Sequence, residues 1–159
     1  MHDANEVFSD GQSLAQVVGS YLSDYSIDMW NGARQTTVFG NTPVLDWGRG
    51  NEIKVECSVK TAFVGATATV LVELVMADDA ALSTSLVSLA QSPGGSITVG
   101  IAVASLVAGY RFRVAGVLPV GLSKRYLGLR YNIFTATLTA GTIDAMLCAD
   151  RSTAPGTFA

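Results

Sequence analysis

Few residues in this chain have the type and spacing that a catalytic or metal-binding site requires. The single histidine is His2, at a position where chain ends commonly fray, so triads and metal sites built on an imidazole are close to excluded. Two carboxylates brought together by folding, for instance Glu73 and Asp144, could act as the acid and base of a glycosidase. The sequence does not give their separation, and solvated surfaces explain most of the 13 acidic residues more simply.

Three further motifs are weak for the same reason: each lacks part of its site. Asp78 and Asp79 could ligate Ca²⁺, but the other oxygen ligands are not spaced as in a known calcium loop. The segment GVLPVG, residues 116–121, has the glycine spacing of a phosphate loop without its lysine and hydroxyl residue. Cys57 and Cys148 fit neither a zinc pattern nor a disulfide framework and are predicted to be free thiols. The sequence thus predicts a protein that is not an enzyme, with no cofactor and no metal.

Composition points towards assembly instead. Charged residues make up only 14% of the chain, against about 25% in a typical soluble domain, so Ser, Thr, Gly and Ala must form much of the surface. Such a surface is poorly protected against association, and we expect other subunits to cover part of it. The net charge of −3 argues against wrapping a phosphate backbone.

The charges are unevenly distributed along the chain. Residues 1–50 hold six acids and two arginines, whereas every charged residue between Asp79 and Asp144 is basic. Arg111 and Arg113 alternate with core-type residues, and SKRYLGLRYNI, residues 123–133, has the same alternation. We therefore expect a basic outer face that meets an acidic protein partner. Base stacking is disfavoured because the aromatic residues share the core face.

The elements that carry these residues are strands. Ile53, Val55, Cys57 and Val59 alternate with polar residues, which is typical of a half-buried strand. The resulting prediction is an all-β fold, an eight-stranded antiparallel two-sheet jelly-roll sandwich. Its strands are predicted at residues 25–29, 52–60, 66–76, 84–90, 97–103, 110–115, 126–134 and 142–149.

The predicted domain organisation has three parts. Residues 1–24 are expected to form an extended N-terminal arm, with a possible short helix at 11–23, and residues 25–150 the jelly roll. Residues 151–159 are expected to form a polar tail that orders only on a partner. The first residues lack the basic and apolar regions of a signal peptide, which predicts synthesis in the cytoplasm. The uncharged run at 80–110 is interrupted by a turn at SPGG and is predicted to form two buried strands and no membrane helix.

An ordered series of motifs covers nearly the whole chain. FSDGQSL, GRGNEIKVECSVKTAF, MADDAAL, LVAGYRFRV, SKRYLGLRYNI and LTAGTIDAMLCAD occur in this order. In this series the chain resembles the capsid cement, or decoration, protein family of tailed bacteriophages, the jelly-roll type typified by a Bordetella phage. The resemblance implies a homodimer on the outer surface of an icosahedral head, bridging neighbouring major capsid proteins. Trimers occur in other decoration families.

The function expected from these observations is a structural virion protein, with the major capsid protein and further copies of itself as partners, and with no direct nucleic-acid or membrane partner. The alternative is a jelly-roll module that binds carbohydrate or a receptor, with Trp30 and Trp47 lining a groove. The residues expected at the capsid or subunit interface are Phe8, Leu14, Trp30, Arg34, Trp47, Arg49, Arg111, Arg113, Arg125, Arg130 and Phe158.

Overall fold

The strands form two antiparallel sheets that enclose one core. A computed structural model of the chain describes residues 7–29, 52–92, 100–117 and 124–148. The strands are β1 (Val7–Ser13), β2 (Gly19–Leu22), β3 (Ile27–Asp28), β4 (Glu52–Val64), β5 (Thr69–Ala77), β6 (Val87–Gln91), β7 (Ile101–Ala102), β8 (Arg111–Val117), β9 (Tyr126–Phe134) and β10 (Ala140–Cys148), with a 3₁₀ turn at Val103–Ser105.

The order of the strands is that of a jelly roll. The first sheet runs β1-β10-β4-β8, and the second runs β2-β9-β5-β6, with β3 also on β9 and β7 also on β5. Within the described residues each early strand thus pairs with a late one, as when a long antiparallel hairpin rolls up into two facing sheets. The predicted antiparallel two-sheet sandwich is confirmed. The described residues form ten strands, because β1 and β2 lie in the stretch predicted as an arm, and the segments predicted at 25–29 and 97–103 contain only the two-residue β3 and β7, which continue β2 and β6.

Alternation of side chains builds the core, as the sequence predicted. Four residues of β4, Ile53, Val55, Cys57 and Val59, are at most 7% exposed. They share one core cluster with Leu127, Leu129, Tyr131 and Ile133 of β9 in the other sheet. Burial raises the pKa of the Cys57 thiol far above its ordinary value, and both cysteines are free thiols, as expected.

The predicted arm is wrong where the structure describes it. β1 pairs with β10, and β2 pairs with β9, so residues 7–22 belong to the sandwich and form no helix. The sequence did not reveal β1 because its register against β10 shifts twice, so inward-facing and outward-facing residues do not alternate regularly along it. The shifts also place Ser9 inside, where its hydroxyl lies 2.8 Å from the Tyr131 hydroxyl.

The segments predicted at 84–90 and 97–103 are not neighbours across a turn. β6 pairs with Glu73–Met76 and β7 pairs with Thr69 and Val70, so both run in one direction along the same edge of β5. Gly100 makes this return possible, because a Cβ there would lie 2.7 Å from the backbone of Val70 and its φ is +44°. Most of the SPGG motif and the tail at 151–159 lie outside the described residues.

Candidate functional site

The basic residues that precede and begin β9 are paired with acids from distant parts of the chain. The Arg125 guanidinium donates to both carboxylate oxygens of Asp28, at 2.9 and 2.7 Å, and its carbon lies 5.1 Å from the ring centre of Tyr126. This fork raises the pKa of Arg125. Lys124 donates to Asp78 at 2.7 Å and thereby lowers the pKa of that carboxyl. The expected basic edge is therefore largely neutralised within the molecule.

Arg130 pairs with an acid that is almost fully buried. Its Nε donates at 2.7 Å to Glu73, whose side chain is only 5% exposed although it lies on the outer face of β5. The same carboxylate accepts bonds from Asn132, Ser88 and Gln91 at 2.6 to 3.2 Å. Burial alone would raise the pKa of Glu73, but the bonds from Arg130 and Asn132 together with the charge of Arg130 bring it below the ordinary value. Arg130 thus holds the second sheet together.

Two of the expected interface residues lie in the core. Phe8 and Leu14 are both 0% exposed, because β1 places Phe8 between the sheets and the Leu14 N–H bonds to Gly141 at the end of β1. Their assignment to an interface is therefore wrong. Five further candidates, Trp30, Arg34, Trp47, Arg49 and Phe158, lie outside the described residues.

Arg111 and Arg113 form an exposed cationic cluster on β8. They follow one another on the outer face of β8, opposite Ser58 and Glu56 of β4. Both guanidinium groups share the Glu56 carboxylate, at 3.5 and 3.7 Å, and their side chains are 71% and 60% exposed. One carboxylate faces two arginines at long distances, so this cluster carries an excess positive charge and many unused N–H donors.

The cluster has the shape as well as the charge of a contact surface. Glu56, Arg111, Phe112 and Arg113 line an open depression of ≈580 Å³. Glu56 is held in place from the other side, where the Cys148 thiol donates to its second oxygen at 3.8 Å. A carboxylate of another protein entering this depression would meet two guanidinium groups carried by a strand whose backbone is paired with β4.

The acids considered for catalysis are not assembled into a site. Glu73 and Asp144 lie on the outer faces of different sheets, since β5 belongs to the second sheet and β10 to the first. Asp144 accepts from the Gly11 N–H and lies 3.5 Å from the Lys60 ammonium. Asp79 caps the turn after β5 by accepting from the N–H groups of Ser83 and Thr84, and these bonds, with that of the Ser83 hydroxyl, lower its pKa.

Within the described ranges no group of three His, Cys, Asp or Glu residues is placed to hold a metal. No helix in the same ranges has the length and hydropathy needed to cross a membrane.

Comparison with known families assigns the chain. The model of the Bbp16 family matches residues 8–147, which is most of the chain. The protein belongs to the Bbp16 family. No curated protein matches the chain significantly. The family name suggests a Bordetella phage protein, in agreement with the phage resemblance of the sequence motifs.

The Bbp16 match covers all but the first and last residue of the sandwich. It begins at Phe8 in β1 and ends at Leu147 in β10, so the family unit includes the first strands that the sequence analysis assigned to an arm. Sequence reasoning also missed Glu56 as the partner of both arginines. Alternation placed Glu56 on an outer face, but only the register of β4 against β8 brings it opposite Arg113.

Proposed function

We propose that this Bbp16-family protein is a capsid cement protein, a structural virion protein that is not an enzyme. It would be made in the host bacterial cytoplasm and bind the outer surface of the icosahedral head. There it would bridge neighbouring major capsid proteins as a homodimer, or as a trimer, and stabilise the shell against the pressure of packaged DNA. The jelly-roll fold, the phage family and the ordered sequence motifs support this proposal.

The observation that carries the proposal is the pair of exposed guanidinium groups on β8. Arg111 and Arg113 outnumber their one carboxylate partner, Glu56, on a strand whose backbone is fixed by β4. A rigid, basic surface on a chain that is acidic overall suits an acidic protein surface, because complementary charge orients the two partners.

Bridging explains how a small protein could strengthen a large shell. Two capsid subunits that separate under outward pressure must also break the contacts of the protein that spans them. A standard interface buries roughly 1,600 Å², and a shell repeats it over many copies, so modest contacts add up through multivalency.

A binding experiment with bare, expanded heads tests the proposal. Purified protein is mixed with heads that lack it, and bound protein is measured by co-sedimentation at about 50 and 500 mM salt. Wild-type protein is expected to co-sediment, and Arg111→Gln with Arg113→Gln to bind weakly. The loss should be larger at low salt, where charge interactions are less screened.

The matched control removes two positive charges elsewhere. The double variant Lys60→Gln, Lys124→Gln has the same net charge but leaves the β8 cluster intact, so it should retain binding. Failure of the wild-type protein to bind heads would overturn the proposal. Equal weakening by the two double variants would show that net charge, and not the β8 cluster, determines the affinity.

A further inference from the structure

At one end of the sandwich, the four connections that the structure describes carry no charged residue. The connections at residues 14–18, 65–68, 103–110 and 135–139 lie between strand ends that meet at this end. Their sequences, LAQVV, GATA, VASLVAGY and TATLT, contain only apolar and neutral residues. By contrast, the ion pairs Lys124–Asp78 and Arg125–Asp28 lie towards the opposite end, where β9 begins. We call the four connections, together with Val64 at the end of β4, the uncharged end.

Backbone hydrogen bonds join the four connections into one surface. The donors and acceptors belong to neighbouring connections or to the strand residues beside them, so each connection is held by the next. An end fixed in this way loses little conformational freedom when it binds. The N–H groups donate at 2.8 to 3.1 Å as follows: Leu138 to Gln16, Thr139 to Val64, Phe63 to Leu106 and Val103 to Ala68.

The uncharged end exposes apolar side chains. Of the five large hydrophobic residues that are most exposed in the described ranges, four lie here: Val17 at 61%, Val18 at 51%, Val64 at 52% and Val107 at 54%. Val64 and Val107 line an open depression of ≈390 Å³ together with other residues of 63–69 and 102–104. Val17 and Val18 lie at the other edge of this end, in the connection between β1 and β2. Projecting valines next to a depression, without any charge, form a patch of the kind that other protein surfaces cover.

We infer that the uncharged end is where a second copy of this chain docks, end to end. Two copies of a chain with a net charge of −3 repel one another, and this end lets them meet without bringing charged groups together or removing them from water. In a twofold contact each patch faces an identical patch, so a valine of one copy can enter the depression of the other, and the reverse contact forms by symmetry.

The two proposed contacts use adjoining surfaces of one molecule, since Arg111 directly follows the connection at 103–110. Self-association would use the uncharged end, and the β8 cluster would remain exposed for an acidic partner. The inference rests on the homo-oligomeric part of the proposed function, but its test needs only the purified protein. Loss of self-association and loss of capsid binding are therefore distinguishable.

The test measures oligomeric state for charge insertions at the uncharged end. Native mass spectrometry and sedimentation equilibrium are applied to wild-type protein, Val17→Asp and Val107→Asp, with Tyr25→Asp as the control. Tyr25 is equally exposed, at 57%, but lies between β2 and β3. The wild type and the control should be dimeric. Each valine variant should dissociate about tenfold or more readily, since a symmetric contact takes up every substitution twice.

Two further measurements make the outcome decisive. Thermal unfolding should occur at nearly the same temperature in both valine variants as in wild type, because the substituted valines are mostly exposed. Wild-type dimerisation should change little or strengthen between about 50 and 500 mM salt, because salt screens the repulsion of like-charged copies. A monomeric wild type, or valine variants that dimerise as tightly as wild type, would overturn the inference. Variants that stay dimeric but no longer bind heads would show that this end faces the shell.

Discussion

Arg130 Nε donates to Glu73 Oε2 at 2.7 Å, across two neighbouring strands of the second sheet. The carboxylate is almost fully buried, and the guanidinium is 30% exposed. A buried charge is tolerated only when it is paired and its remaining acceptor positions are filled. Asn132, Ser88 and Gln91 fill them here, so we regard this network as a structural unit and not as a binding site.

Neutralising Glu73 should destabilise the sandwich. Glu73→Gln keeps the size of the side chain but leaves Arg130 without its charge partner and puts an amide where two donors point. We expect the free energy of unfolding in urea to fall by about 2–3 kcal/mol. Arg111→Gln, an exposed residue with long ion-pair distances, is the control and should change it by less than about 0.5 kcal/mol. Equal effects of the two substitutions would contradict the structural role of the network.

Stability should decline at acid pH in a way that depends on Glu73. The folded-state pKa of this carboxyl is lowered, so its contribution is complete above the unfolded value of about 4.3. The contribution is lost as the pH falls through the lowered folded-state value. Chemical unfolding measured across that range should show a shallower pH dependence for Glu73→Gln than for wild type. Some slope should remain, because the pKa values of Asp78 and Asp79 are also lowered.

Gly128 should be required for the packing of the β5–β6 connection against the second sheet. Leu82, in the connection between β5 and β6, packs directly over it, and a Cβ at Gly128 would overlap the leucine side chain. We expect Gly128→Ala to cost about 1–3 kcal/mol of unfolding free energy. In a Leu82→Ala background the same substitution should cost much less. Additive effects in this double-mutant cycle would mean that the two residues do not meet.

The first strands should be needed for folding. Deleting residues 1–20 removes β1, Phe8 and Leu14 from the core, so we expect loss of the cooperative thermal transition. The single substitution Phe8→Ala should cost about 3–4 kcal/mol. A truncated protein that unfolds cooperatively like wild type would restore the idea of a detachable arm.

The two thiols should differ in reactivity. Cys57 is fully buried with a raised pKa, and Cys148 is half-buried at the end of β10. Since the thiolate is the reactive form, a disulfide reagent should modify at most Cys148 in the folded protein and both thiols in urea. Rapid modification of Cys57 in the Cys148→Ser variant under native conditions would contradict the burial described.

The fold could be predicted where one face of a strand is apolar and regular. β9 was predicted with its bounds, residues 126–134, because Leu127, Leu129, Tyr131 and Ile133 alternate without interruption. β1 was missed because bulges change which side its residues face, so that Ser9 points inwards. Local pattern reveals a strand only while its period is unbroken.

The surface could not be predicted from charge along the sequence. Arg125 and Asp28 are 97 residues apart, and Arg130 and Glu73 are 57 apart, so the separation of acids from bases in the sequence disappears in the folded sheets. The positive charge that remains on β8 depends on strand register, because Arg111 and Arg113 face a single acid, Glu56, and stay exposed. The uncharged end likewise depends on topology, which gathers four connections that are far apart in the chain.

The pairing of β1 with β10 has a mechanical consequence. Val7 lies opposite Met146, so the start of the first strand and the end of the last are side by side. A load applied through these two points would peel the β1·β10 ladder open one hydrogen bond at a time. A protein that holds other subunits together under tension would therefore resist weakly if the pull entered through these two points.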